Sequence, residues 1–320
     1  MTKIYAIAIN TFKEAVRNRV LYVLLFFSLL IMLGAWVAST LSIDKESVIL
    51  RNLGVGAINI ISLLIAVFVG IGLVYNDLDK KTIYTIVSKP ISRWQFLLGK
   101  YLGLLLTIAV NVLVMTFVFA AVLNFREYIS DDNLMKGITS TDSAGNMVYK
   151  GGFAHVMYYV VSFFKAIVSG LWHVLSLGFD GVEITKGLFT TSMLTIMEMS
   201  IITAFGVLFS SFSTPILSAF LTVIVFTIGR LNVNLYLFAQ QMLEHAGRNI
   251  ENLNKGQQLA YYFATGAAYI CPNLEVYNYR KQIADMANIS VPPLDILYGF
   301  VYSTLVMVIA IMIFNRRNFK

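Results

Sequence analysis

Apolar residues fall into long runs divided by short polar islands. Runs near the ~20 residues that cross hydrocarbon occupy Val20 to Leu41, Leu53 to Val74, Tyr101 to Leu123, Gly187 to Phe209, Pro215 to Leu231 and Ile296 to Phe314. The pattern predicts six membrane spans in one domain covering residues 1–320. Ahead of the first run, Tyr5, Ala8, Ile9, Phe12, Ala15 and Val16 recur at helical spacing, with Lys3, Asn10, Lys13, Glu14 and Arg17 elsewhere on the wheel. Such a helix is suited to lie in the membrane interface. A secretory signal peptide is the competing reading of this end. The run from Val20 is longer than the ~7–15 residues of a signal core and no clean A-x-A site follows, so it reads as a retained first helix.

The run Phe153 to Phe179 is also long enough to span. Its Ser162, Lys165, Ser169, His173 and Ser176 recur at steps of three and four, giving one polar stripe. We read an amphipathic helix at the outer surface. The alternative is a seventh span whose stripe faces the bundle, and an odd crossing would carry Arg316 and Arg317 to the other side.

Composition agrees with a chain held largely in lipid: 58% hydrophobic residues, 13% charged and a mean hydropathy of +0.74. Charge then orients it. Residues 1–19, 76–100 and 315–320 hold twelve of the 24 Lys and Arg, against Glu14, Asp77 and Asp79. The other twelve are spread with thirteen acids over about three times that length, so the positive-inside bias puts both termini in the cytoplasm. The net charge of +7 is thus topogenic, and no basic stripe interleaved with aromatics suggests nucleic acid.

The charged island from Tyr75 to Tyr101 has an order of its own. Asp77 and Asp79 precede Thr82 and a short apolar-periodic turn carrying Ile83, Tyr84 and Ile86. Ser88-Lys89-Pro90 stops that turn, and Ser92, followed by Arg93, caps a helix running through Gly99 and Lys100 into the membrane. This order resembles the segment after the second span of ABC type-2 transporter permeases, most of all the NosY-like branch. Thr11 to Arg17, Cys271-Pro-Asn-Leu-Glu-Val-Tyr-Asn278 and Phe314 to Phe319 extend the resemblance over most of the chain, leaving Asn124 to Lys186 as an external insertion. The resemblance implies a cytoplasmic coupling helix on an ATPase, with Asp77, Asp79, Thr82, Ile83, Tyr84, Ile86, Pro90 and Arg93 as contacts. It also implies an N-terminal elbow helix, short external or re-entrant helices before the last span, a second permease copy and two ATPase copies.

Chemical sites are sparse. No G-x-x-x-x-G-K-[ST] occurs, since Trp94 stands where Gly99-Lys100 would need its upstream glycine, so ATP and Mg are expected in a partner chain and no cofactor in this one. His155, His173 and His245 lack metal-ligand spacing, and Met193, Met197 and Met199 read as packing rather than a soft-metal site. One cysteine, Cys271, excludes an intrachain disulfide. Glu198 is the one acid within a predicted span and must face protein, water or a basic partner. An interhelical hydrogen bond, a place in a substrate or proton pathway, and a misplaced helix boundary are its three readings. Gly99-x-x-x-Gly103 permits close helix approach, with a dimer face as one use.

The sequence therefore predicts an all-α polytopic membrane protein in a bacterial inner membrane, a non-enzymatic permease subunit of an ABC exporter. Two alternatives remain open: a secondary transporter, which needs intramembrane polar pairs or broken helices, and a coupling or anchor subunit serving a periplasmic protein.

Overall fold

A computed structural model describes residues 2–40, 46–73, 92–130, 139–141, 147–149, 183–247, 249–250, 253–279 and 291–316. Among these residues the order is α1 (Thr2–Val16), α2 (Arg19–Thr40), α3 (Glu46–Leu64) continued by a π-helical stretch (Ile65–Ile71), α4 (Arg93–Ser130), β1 (Thr139–Thr141), β2 (Met147–Tyr149), α5 (Glu183–Ser210), α6 (Pro215–His245), α7 (Lys255–Ile270), a 3₁₀ turn (Glu275–Tyr277) and α8 (Pro293–Arg316). Among the described residues, six helices are long and apolar enough to cross a membrane: Arg19–Ser39, Val48–Ile71, Arg93–Leu123, Gly187–Ser210, Pro215–His245 and Pro293–Arg316. Each contains or closely overlaps one predicted run.

The differences lie at helix ends. α6 continues to His245, past the predicted stop at Leu231. Asn232, Asn234, Gln240 and Gln241 end the apolar run, but backbone bonding does not require apolar side chains, and Leu235, Phe238 and Met242 keep helical spacing. α4 runs unbroken from Arg93 through Gly99 and Lys100, as expected, and on to Ser130. With α5 starting at Glu183, the insertion is shorter at both ends than 124–186. Within it, β1 and β2 form a three-pair antiparallel ladder, Thr139 opposite Tyr149, on β-branched and aromatic residues. This is a minor addition to an all-α fold. The run 153–179 lies outside the described residues.

The helix Val48–Ile71 and α5 are mostly buried, whereas α2, α6 and α8 turn Phe26, Phe220 and Phe300 outward. Lipid gives apolar surfaces no reason to hide, so the centre is held by close packing and interhelical hydrogen bonds. Thr195 Oγ1 donates to Asn59 Oδ1 at 2.8 Å, joining α5 to α3, and the Tyr101 hydroxyl donates to the Ser200 carbonyl at 3.4 Å, joining α4 to α5. The π-helical stretch sits in this buried centre, its last residues leading towards the charged island.

Amphipathic α1 lies along the first turns of α4. A Cβ at Gly103 would stand 2.5 Å from the Ala8 carbonyl oxygen, and one at Gly99 would stand 2.7 Å from Ile7 Cβ. Only glycine lets the backbones come this close. Thr11 and Ala15 are fully buried in the seam, and Lys100 Nζ lies 3.3 Å from Glu14 Oε2. The glycine pair, whose suggested use was a dimer face, is filled from within the same chain. Gly103→Leu is expected to force α1 from this seat, at the ~1–3 kcal/mol typical of overpacking. A cysteine at Thr11, in a Cys271→Ala background, should then gain reactivity towards a thiol reagent. Gly34→Leu is the size-matched control, because nothing lies within 4 Å of a Cβ there.

Candidate functional site at the helix ends and in the spanning core

Asp77, Asp79, Thr82, Ile83, Tyr84, Ile86 and Pro90 lie outside the described residues; Arg93 does not. Ser92 opens α4: its carbonyl accepts the Phe96 N–H at 3.2 Å, and its N–H donates to Gln95 Oε1 at 3.4 Å. Arg93 then reaches across to α8, donating from Nη1 to the Asn315 carbonyl at 3.2 Å. A cation at a helix C-terminus is favoured by the carbonyl charge there. One turn on, Phe96 stacks on Phe314 with ring centroids 6.5 Å apart. The helix that leaves the charged island is thus bound to α8 on one side and to α1 on the other.

The second locus surrounds Glu198, which has no solvent exposure. Its Oε2 accepts a hydrogen bond from Arg230 Nη2 at 2.6 Å, an ion pair between α5 and α6. The guanidinium also sits 5.8 Å from the Phe226 ring centroid, a cation–π contact. At 1.5 Å per residue, Arg230 lies about 22 Å from the start of α6 and Glu198 about 18 Å from the end of α5, both inside helices long enough to cross a hydrocarbon layer ~30 Å thick. Glu198 has a basic partner, the third of the environments its charge permitted. Arg230, one of the outer twelve in the charge tally, lies instead inside a spanning helix. It is the one cation in the apolar run 215–231. Two lone intramembrane charges of opposite sign are the signal that points to this pairing.

Around the pair, the segment after α7 folds onto α6. Leu274 N–H donates to the Gly229 carbonyl at 3.0 Å, and a Cβ at Gly229 would stand 2.8 Å from both the Leu274 side chain and the Pro272 carbonyl oxygen. Asn232 Nδ2 donates to the carbonyls of Ala268 at 2.7 Å and Cys271 at 3.3 Å, closing the C-terminal end of α7. The Tyr277 hydroxyl donates to the Asp295 carbonyl at 2.9 Å and Asn273 N–H donates to the Tyr298 hydroxyl at 2.9 Å, tying the same segment to α8. Two consecutive turns of α6 therefore supply Phe226, the Gly229–Arg230 pair and Asn232 to one hub joining α5, α6, α7 and α8. Asn232 had no distinguishing sequence signal. Met199 is fully buried, Met197 packs against the core and Met193 is exposed.

Cys271 is half-buried in this hub, and burial pushes its thiol above the ordinary value. Of the histidines, His245 is described; its Nδ1 lies 2.7 Å from the Gln241 carbonyl at the end of α6.

The chain matches the family described as ABC-2 family transporter protein over residues 5–319. It belongs to the ABC-2 transporter family. No curated protein shows a significant match. Membership makes the protein a multi-pass permease, the membrane subunit of an ABC transporter, in a family whose members work with an ABC ATPase and do not themselves carry the catalytic site. It also decides between two readings that the Glu198–Arg230 pair leaves level. An intramembrane charge pair suits a secondary transporter as well, but the match across nearly the whole permease does not.

Proposed function

We propose that the permease is the membrane half of an ATP-driven exporter: two copies of this chain, paired as a homodimer, bind two copies of a separately encoded ATPase that supplies ATP and Mg²⁺. The observation that carries this reading is the family match over residues 5–319 on a chain with six span-length helices. A sequence without a phosphate-cradling glycine loop supports a separate ATPase. The contact is residues 77–92, read as a short helix between two spans. ATP-driven closure of the ATPase pair moves that helix, and α4 carries the motion to α1 and α8 through Gly99, Gly103, Arg93 and Phe96. The permease sits in a bacterial inner membrane with both termini cytoplasmic, as one domain.

The reading is tested by affinity purification of the tagged permease from its native membrane. An ATPase that co-purifies and whose ATP hydrolysis depends on the permease is expected. A permease that purifies intact without any ATPase would overturn it. Orientation has its own test. In a Cys271→Ala background, cysteines at Asp142 and Asn254 are expected to react with an impermeant thiol reagent in intact cells, and one at Lys81 after permeabilisation alone. Labelling of position 81 from outside would invert the arrangement.

A further inference from the structure

α1 has three distinct sides, and one of them is unexplained by anything above. Ala8, Thr11 and Ala15 are buried against α4. Tyr5, Ile9, Phe12 and Val16, at steps of four, three and four, form a second side; Tyr5 is 70% exposed and the other three are half-buried. Lys13 and Arg17, one turn apart and both exposed, form the third with Asn10, and exposed Arg19 follows at the start of α2. Among the described residues, no carboxylate is paired with Lys13, Arg17 or Arg19; Glu14 beside them is engaged by Lys100 at 3.3 Å.

Depth fixes what these cations meet. α1 ends at Val16 and α2 starts at Arg19, with Asn18 Oδ1 accepting the Val20 N–H at 3.0 Å. Two residues leave no room for α1 to stand away from the membrane that α2 enters. The apolar side, which α4 leaves partly uncovered, must then lie among acyl chains, which brings the adjoining cations to headgroup level. Trp94, 44% exposed near the start of α4, is a residue type that favours the same level.

We infer that Lys13, Arg17 and Arg19 form a docking surface for anionic phospholipid headgroups. Charge complementarity selects this occupant, because an apolar side continuous with a basic side matches a lipid surface at its acyl–headgroup boundary. Since α1 is seated on Gly99 and Gly103 of the helix that leaves the charged island, headgroup binding bears on the element that would carry the transport stroke. The inference rests on α2 as a span and not on the ATPase reading.

The test is native mass spectrometry of the delipidated full-length permease, offered equal amounts of phosphatidylglycerol and phosphatidylcholine with identical acyl chains. Preferential retention of phosphatidylglycerol is expected. The preference should fall about fivefold with each of Lys13→Gln and Arg17→Gln, the factor for one basic residue near an anionic surface, and should persist in Arg17→Lys. If the variants fail to fold, salt titration of the wild type decides instead, because headgroup attraction must weaken as ionic strength rises. Equal retention of both lipids, or a preference untouched by the substitutions or by salt, overturns the inference. So does an ATPase lost from purified Lys13→Gln/Arg17→Gln while the lipid preference stays, which would give this surface to the ATPase.

Discussion

Arg230→Met is expected to destabilise the detergent-solubilised permease by about 3 kcal/mol or more, the loss typical when one member of a buried ion pair is removed. Glu198 is fully buried and the Arg230 side chain is 13% exposed, with 2.6 Å between them. A carboxylate left without its guanidinium deep in a spanning bundle has little water to turn to. The size of the loss separates two accounts, because neutral interhelical hydrogen bonds in membranes average only ~0.6 kcal/mol. A loss below about 1 kcal/mol would reduce the pair to an ordinary hydrogen bond. Glu198→Gln should also destabilise: the amide keeps an acceptor for Arg230 but leaves its charge unbalanced.

Joining Glu198→Gln to Arg230→Gln should recover much of what either single change loses. Glu198→Gln/Arg230→Gln removes both charges and keeps polar side chains facing each other, and contacting residues commonly couple by about 0.5–3 kcal/mol. Thermal unfolding of the wild type, Glu198→Gln, Arg230→Gln and the double variant measures that coupling. The same double variant separates a structural role from a place in the pathway. A stable double variant with normal ATP hydrolysis in the assembled complex assigns the pair to packing of α5 on α6; a stable one with hydrolysis lost assigns it to transport.

The second large effect is expected at the other end of the molecule. Tyr84→Asp/Ile86→Asp should separate the permease from its ATPase while leaving insertion intact. Aromatic and aliphatic anchors commonly dominate protein interfaces, and a carboxylate forced into such a contact is buried without a partner. Asp77 and Asp79, ahead of the proposed short helix, would favour its positive N-terminal end and are best left in place. Neither substituted residue belongs to a predicted span, so membrane insertion and the monodispersity of the purified permease should match wild type. Co-purification with tagged ATPase is the measurement. Undiminished association with normal coupled hydrolysis would remove residues 77–92 from the interface.

The six spans and the start of α4 behind Ser92 were legible from sequence because each depends on local quantities. A bilayer sets the apolar length that a helix needs, and capping acts within one turn. The extension of α6 past Leu231 was not, since hydropathy reports where lipid ends and not where backbone hydrogen bonding ends. The amphipathic pattern of α1 was read from periodicity, but periodicity does not name the neighbour. Gly99 and Gly103 announce a close approach without saying whose backbone arrives. The fold answers with Ala8 and Thr11 of the same chain. Glu198 shows the same division. Its charge in an apolar run required a compensating environment, which sequence established from the cost of a carboxylate in hydrocarbon. That Arg230 supplies it, 32 residues away on another helix, was decided only when α5 and α6 packed together, because charge pairing depends on distance in space and the apolar pattern leaves the choice of neighbouring helix open.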